Sequence, residues 1–373
     1  MKKAILHIGT EKTGTTSIQK FLFENRSQLA STGILFPETA GFISNQRLVV
    51  FGKKAPEADL AGPNLDATDP LALARWKEQF VLDHVAEILD FHKRCQRSAN
   101  DCGSAQDSTV IYSAEHLQSR LVAMDEIRRV ADLLRPLFDE IQILVYLRRQ
   151  DKYALSAHST SVRGGNQHEF AFEQINAAGP YYNYSLLLKN WSEVFGEESV
   201  KVRLFERKRL VGGDVIRDFC DVCDIDMQQG DWVMPETENE ALSHTALSIL
   251  RSFNGLAAND PRLQRHSKQQ LRGYLLQQVQ TITDDFGRVL PSRASAEMFY
   301  ERFAEGNEWI ADRWLNGQGF EMSFDDYPLH AAEAPEVAGI DERLDQLIDA
   351  YIPGQKTVAQ RIGGAIKRRV GNG

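Results

Sequence analysis

The sequence predicts an α/β fold: a parallel sheet flanked by helices on both faces, followed by a helical C-terminal region. Three observations carry this. Apolar runs rich in β-formers alternate with helix-periodic stretches from residue 4 to about residue 225, the pattern of a parallel sheet joined by crossover helices. The run 141–147, Ile-Gln-Ile-Leu-Val-Tyr-Leu, is nearly continuous in apolar residues, as a strand buried on both faces requires. Residues 4–22 read as strand, glycine loop and helix, an arrangement in which the N–H groups of loop and helix start converge on an anion.

The elements follow in order. Residues 4–8 form the first strand, 9–14 a polar loop with two glycines and a lysine, and 15–22 a helix with Ile18, Phe21 and Leu22 on one face. Residues 33–36 before Pro37 make a short second strand. The stretch 38–70 is rich in Gly, Pro and polar residues and reads as a long excursion, the kind of segment that carries lids or substrate loops. Helical periodicity returns over 70–95 through Trp76, Phe80, Val81, Val85, Ile88 and Leu89, and 97–106 reads as a polar loop. Strands are expected at 108–113, 141–147 and 199–205, and helices at 124–137, 152–162 and 215–223. Beyond about Pro235 the segments 241–256, 267–286 and 294–315 read as helices with no clear strand. The organisation is thus a core over 1–235, a helical part of the same domain over 236–330, and a tail over 331–373.

At 373 residues the chain can bury a full core. Its 42% hydrophobic and 25% charged residues are ordinary for a globular protein. A formal charge of −9 argues against a nucleic-acid binder that relies on a broad basic surface. Four cysteines do not make a disulfide scaffold. Cys220 and Cys223 are spaced C-x-x-C, but on a helix and without a second pair, so they read as core residues. The first apolar run is too short for a signal peptide, and no stretch is long enough to span a membrane; a cytoplasmic location is expected. The basic tail with Lys356, Arg361, Lys367, Arg368 and Arg369 reads as a solvated terminus, or as a peripheral contact with an anionic membrane face.

The loop spacing decides the chemistry. An ATP-type loop places lysine directly after the second glycine. Here Gly9 and Gly14 have the right separation, but Thr15 stands in the lysine position and Lys12 lies two residues before Gly14. The string Lys12-Thr13-Gly14-Thr15-Thr16, followed by Ser17, resembles the loop with which sulfotransferases grip the 5′-phosphosulfate of PAPS (3′-phosphoadenylyl sulfate). A second segment, Arg148–Ser156, resembles the family's 3′-phosphate site: an arginine at a strand end and a serine eight residues on. A guanidinium supplies a bidentate fork for a phosphate and a hydroxyl a further donor. Weaker likenesses are Tyr184, Leu187, Trp191, 195–196 and 202–206, then Asn239, Leu242, Ser243, Phe303 and Asn307. The resemblance covers roughly residues 3–325. It lacks the late R-K-G motif of small-molecule sulfotransferases; Arg262, Arg265, Lys268 and Arg272 form a basic cluster that either replaces it or is a solvated helix face.

The resemblance implies a PAPS-dependent sulfotransferase of the bacterial carbohydrate type, with a P-loop-like fold and no metal. The acceptor would be a hydroxyl or amine of a saccharide or glycolipid, and the spent donor adenosine 3′,5′-bisphosphate. It implies that Lys12 and the loop stabilise the leaving group. It implies a general base after the third strand: Glu115, with His116 as the alternative. The plain readings are a helix-start acid for Glu115 and a hydrogen-bonded, half-buried imidazole for His116. Two rival functions are another P-loop enzyme, a nucleotide kinase or NTPase, and a catalytically inactive family member that binds nucleotide or polysaccharide. The missing Walker-B-like aspartate weighs against the first, and intact Lys12, Arg148 and Glu115 against the second. Acceptor identity and oligomeric state are not written in these residues.

Overall fold

The computed structural model describes residues 1–62, 65–102, 108–236, 242–257, 268–280, 282, 289–331 and 339–351. Five parallel strands form one sheet: β1 (Lys2–His7), β2 (Ile34–Leu35), β3 (Ser108–Ser113), β4 (Glu140–Leu147) and β5 (Val200–Leu204). Their order is β2-β3-β1-β4-β5. This is the predicted fold class. The strands form where apolar β-formers run on, and β1 is central because both of its faces are covered: Ala4, Ile5 and Leu6 are fully buried.

Side-chain alternation assigns the faces. Register places Ile5 opposite Ile111, and His7 opposite Leu144. On that face Ile5, Ile111, Leu144 and Tyr146 pack with α1 (Thr15–Glu24), α2 (Arg26–Ser31) and α10 (Val215–Val222). The opposite face receives α5 (Pro70–Cys102), α7 (Met124–Leu134) and α9 (Tyr184–Phe195). The Nε2 atom of His84 on α5 is 2.9 Å from the hydroxyl of Tyr112 on β3.

The chain divides into two compact units. The first comprises Met1–Tyr153, Asn176–Glu238 and Tyr300–Met322. It holds the sheet and also α3 (Gln46–Gly52), α4 (Ala58–Ala61), α6 (His116–Arg120) and α14 (Ala304–Trp314). The second comprises Ala154–Ile175, Asn239–Phe299 and Ser323–Gly373. Its core joins Val162 near the end of α8 (Gln150–Gly164) to α11 (His244–Leu256) and α12 (Lys268–Val279) through Leu250, Phe253, Leu271 and Leu275. Helix α13 (Arg293–Glu301) and a helix at 340–351 complete the described helices there.

Several expectations are corrected. The polar stretch 97–106 is not a loop throughout, because α5 runs on to Cys102. The excursion 38–70 carries helices of its own, α3 and α4, that its composition did not announce. Leu48, Val49, Val50 and Phe51 are buried on α3, whose C-terminal carbonyls receive Arg129 at Gly52 and Lys77 at Lys53. Residues 294–315 are not one helix; α13 and α14 meet at a break whose Phe303 N–H returns to Tyr300 O at 2.8 Å. Asn239, Arg262, Arg265 and the tail beyond 351 lie outside the described residues.

Candidate functional site

The glycine loop sits at the carboxyl edge of the central strand. The ladder continues past β1: Tyr146 N–H donates to Gly9 O at 2.8 Å, and Thr10 N–H to Tyr146 O at 2.9 Å. The Thr10 hydroxyl bonds the same carbonyl at 3.0 Å, and the Thr13 hydroxyl closes the loop onto Thr10 O at 2.6 Å. Both threonines are buried, so the loop is held from beneath while Lys12 is half-exposed. Gly9 approaches the next strand end so closely that a Cβ would lie 3.2 Å from Glu115 Cα. Gly14 has φ +78°, and a Cβ there would lie 2.8 Å from Val215 Cγ1. Lys12 has φ +64°, a left-handed backbone that costs a non-glycine about 1–2 kcal/mol and is a feature of ligand clamps.

Helix α1 starts at the second glycine. No side chain caps it, and the first turn closes with Ile18 N–H on Gly14 O at 3.1 Å. The N–H groups of Thr15, Thr16 and Ser17 therefore lie at the helix start without an intrahelical acceptor, where the helix dipole is positive. Thr15 is buried, Thr16 exposed and Ser17 half-exposed.

Arg148 follows β4 and reaches this loop: its Nη1 donates to Lys12 O at 3.0 Å. The guanidinium lies over the Phe205 ring at 5.7 Å, and the Arg148 carbonyl accepts the Tyr184 hydroxyl at 2.7 Å. Arg149, the next residue, has a different fate. It is 6% exposed and forms a bidentate pair with Asp151 at 2.8 and 2.9 Å, so it braces the start of α8 and adds no net field. Gln150 and Asn307 exchange amide hydrogen bonds at 2.9 and 3.1 Å. Ser156 lies further along α8, half-buried, in the second unit.

The third strand end carries the acid. Ser113 is clamped by Asn45, whose Oδ1 accepts Ser113 N–H at 2.8 Å and whose own N–H donates to Ser113 O at 3.0 Å. Glu115 stands at the N-cap of α6, yet its side chain makes no cap bond. Its carboxylate instead accepts the Nε2 of Gln19 on α1. His116 is half-buried and its Nδ1 has no partner among the described residues. Beside them the Tyr181 hydroxyl donates to Glu11 at 2.6 Å, and Gln118 donates to Tyr181 O at 3.3 Å. Behind the loop, His7 is fully buried with Nδ1 2.8 Å from the Ser113 hydroxyl, and burial lowers its pKa to about 3. Burial also raises the Tyr184 phenol above its ordinary range.

Lys12, Thr13, Gly14, Thr15, Thr16, Ser17, Glu115, His116 and Arg148 thus lie along adjoining strand ends at one edge of the sheet, where open α/β sheets bind ligands. Sequence reasoning missed Gln19, Asn45 and Tyr181, and gave Tyr184 only as a weak likeness without a role. Gln19 left a signal: it sits on the buried face of α1 with Thr15, Ile18 and Leu22, where a lone amide needs a partner. Asn45 and Tyr181 gave none, because their bonds cross from loops to distant segments. The basic cluster is resolved in part: Arg272 donates to Gly164 O at 3.1 Å and so caps α8. Cys220 and Cys223 are buried core thiols. Among the described residues there is no group of three or more His, Cys, Asp or Glu that could hold a metal, and no helix long and apolar enough to cross a membrane.

No protein-family model matches the chain. An uncharacterized protein of Archaeoglobus fulgidus is 29% identical over 170 residues, 45% of this chain and 44% of that one; the match thus spans less than half of that relative's length. Two solved structures are similar. A sulfotransferase from Alicyclobacillus acidocaldarius shares 18% identity over 70% of this chain and 96% of its own, with a TM-score of 0.34. The sulfotransferase domain of the Synechococcus PCC 7002 olefin synthase shares 14% over 82% and 94%, with a TM-score of 0.28. At these scores the two likenesses carry no argument about this chain, and the functional reading rests on the loop and its neighbours.

Proposed function

We propose that the chain is a sulfotransferase that moves the sulfuryl group of PAPS to a hydroxyl or amine of a saccharide or glycolipid, in the cytoplasm. The observation that supports the reading is the contact of Arg148 with the backbone of Lys12 at 3.0 Å, which sets the arginine of the second sequence motif beside the glycine loop of the first. The residues fit a doubly phosphorylated adenosine. The glycine loop offers N–H groups and an ammonium to the 5′ end, Thr13 to Ser17 line it, and Arg148 with Ser156 would take the 3′-phosphate. On this reading residues 1–235 bind the donor, 236–330 form a helical part of the same domain and 331–373 a tail.

In the proposed step the acceptor oxygen or nitrogen attacks sulfur in line. The bond from sulfur to the bridging phosphate oxygen breaks, and that oxygen keeps the electron pair. Lys12, the N–H groups at the start of α1 and the hydroxyls of Thr15 and Thr16 stabilise the growing charge, as preorganised donors do in group transfer. The acceptor's proton passes to the Glu115 carboxylate, oriented by Gln19. His116 is the alternative base, favoured only by an Nδ1 without a partner among the described residues. The spent donor is adenosine 3′,5′-bisphosphate.

The test has two parts. Adenosine 3′,5′-bisphosphate should raise the melting temperature and Mg-ATP should not; the reverse result would indicate a kinase or NTPase. With labelled PAPS and a saccharide panel, Lys12→Ala should lower kcat about 10²–10³-fold, the cost of one lost transition-state donor. Glu115→Gln should lower it about 10²–10⁴-fold while donor binding persists. Turnover near the wild-type rate in Lys12→Ala would overturn the mechanism, and failure of wild-type protein to bind the bisphosphate would overturn the donor.

A further inference from the structure

A cavity of about 150 Å³ lies against the first turns of α5, lined by Thr39, Arg47, Trp76, Gln79, Phe80 and Asp83. We infer that it is a subsite for a ring of a neutral oligosaccharide, and that Trp76 is its stacking platform. The inference names a part of the acceptor site and so rests in part on the reading above, although binding can be measured without donor.

The wall is built by helical spacing. Trp76, Phe80 and His84 follow one another at intervals of four on α5, so their rings form a ladder. Trp76 and Phe80 stack at 5.3 Å and 3°, and Phe80 and His84 at 5.4 Å and 7°. His84 is fixed at both nitrogens, by the Thr39 hydroxyl at 2.7 Å and the Tyr112 hydroxyl at 2.9 Å. The opposite side is equally fixed. The Glu87 carboxylate accepts the N–H groups of Glu38 and Thr39 at 2.9 and 3.0 Å. The cavity is therefore held open by bonded neighbours, which lowers the ordering cost of binding.

The polar groups at its mouth point to a neutral, polyhydroxylated ligand. Trp76 has no hydrogen-bond partner for its indole N–H among the described residues. Arg47 makes no ion pair among them, and its hydrogen bond to Thr39 O is a long one at 3.4 Å. Asp83 accepts from the Gln79 amide at 2.8 Å and keeps further lone pairs. One cation and one anion face the same small space. A cation would meet Arg47 and an anion Asp83, whereas a sugar ring offers hydroxyl donors and acceptors to both. Its apolar C–H face suits an indole, which combines an aromatic surface with one donor.

Position links the cavity to Glu115. His84 is level with Tyr112, near the carboxyl end of β3, and α5 runs back from there. Trp76 therefore stands about 12 Å beyond that level, at 1.5 Å per residue. Asn45, from the same excursion as Thr39 and Arg47, clamps Ser113 two residues before Glu115. The acceptor is thus a chain of rings, one on Trp76 and another at the carboxylate.

The experiment titrates the full chain with cellopentaose, maltopentaose and N-acetylchitopentaose, with an oligogalacturonate as charged control, followed by tryptophan fluorescence and saturation-transfer NMR. At least one neutral pentasaccharide should bind, and Trp76→Ala should weaken it tenfold or more. Because Trp76→Ala also unstacks Phe80, the surface variant Asp83→Ala serves as a second probe and should weaken binding several-fold with an unchanged melting temperature. Binding of none of the neutral sugars, preference for the charged one, or equal affinity in both variants would overturn the inference. Trp76-dependent sugar binding in a chain that ignores adenosine 3′,5′-bisphosphate would uphold the subsite and overturn the donor. Bisphosphate binding without sugar binding would do the opposite.

Discussion

Substituting Gly14 by alanine tests the geometry of the loop in free-energy terms. The methyl group would lie 2.8 Å from Val215 Cγ1 and 3.5 Å from Phe205 Cε2, so the first contact is a clash and the second is ordinary. Two costs add. The φ of +78° penalises an L-residue by about 1–2 kcal/mol, and a methyl forced into a packed boundary costs about 1–3 kcal/mol. Reduced freedom of the unfolded chain returns about 0.4–1 kcal/mol. The expected loss is about 2–3 kcal/mol. Val215→Ala removes the clashing methyl groups but leaves φ unchanged. In the double variant Gly14→Ala should therefore cost only about 1 kcal/mol, a coupling of about 1–2 kcal/mol between the sites. Urea unfolding of the four proteins, with equal m-values as the control, measures this. Strict additivity, or wild-type stability in Gly14→Ala, would refute the packing of the loop against α10.

Two further outcomes follow from buried polar groups. Asp218 is fully buried and accepts Tyr146 at 2.8 Å, Arg203 Nε at 3.0 Å and Val211 N–H at 3.1 Å; Asp218→Asn should lose about 2–4 kcal/mol, and adding Arg203→Met should recover part of it in urea unfolding. His7 and His84 are held neutral by burial, with pKa values lowered to about 3 and about 4. Both take up protons only on unfolding, so their contribution is complete above the ordinary value near 6.5 and is lost as pH falls toward 3–4, by about 2 kcal/mol each between pH 7 and pH 5. His7→Phe should flatten that slope by one proton, read from urea midpoints across pH; an unchanged slope would mean that His7 is not the neutral core residue described.

Much of the sheet was legible because parallel strands buried on both faces leave unbroken apolar runs. The strands β3, β4 and β5 fall within one residue of their expected bounds. Helix α3 was missed because its buried run Leu48–Phe51 is short and lies among glycines and polar residues. The end of α5 was missed because exposed residues such as Gln96 and Arg97 carry no periodicity that separates a solvated helix from a loop. In the candidate site, the glycine loop was visible from its spacing, and the residues at strand ends from their place after apolar runs together with the family resemblance. Their partners were not: the bonds of Arg148 to Lys12 and of Asn45 to Ser113 depend on which strands become neighbours, and no local pattern records that. Likewise Arg148 and Arg149 are chemically identical in the sequence, and only the fold turns one to the loop and buries the other against Asp151.

The bond between Gln19 and Glu115 ties together two positions 96 residues apart. Its geometry leaves little slack, since one end is fixed by a helix and the other by the turn after a strand. A shorter acid at 115 would strand the amide in an apolar face, and an apolar residue at 19 would strand the carboxylate. Drift at either position is therefore conditional on the other, and chains descended from a common ancestor should be found to exchange the pair jointly or keep it.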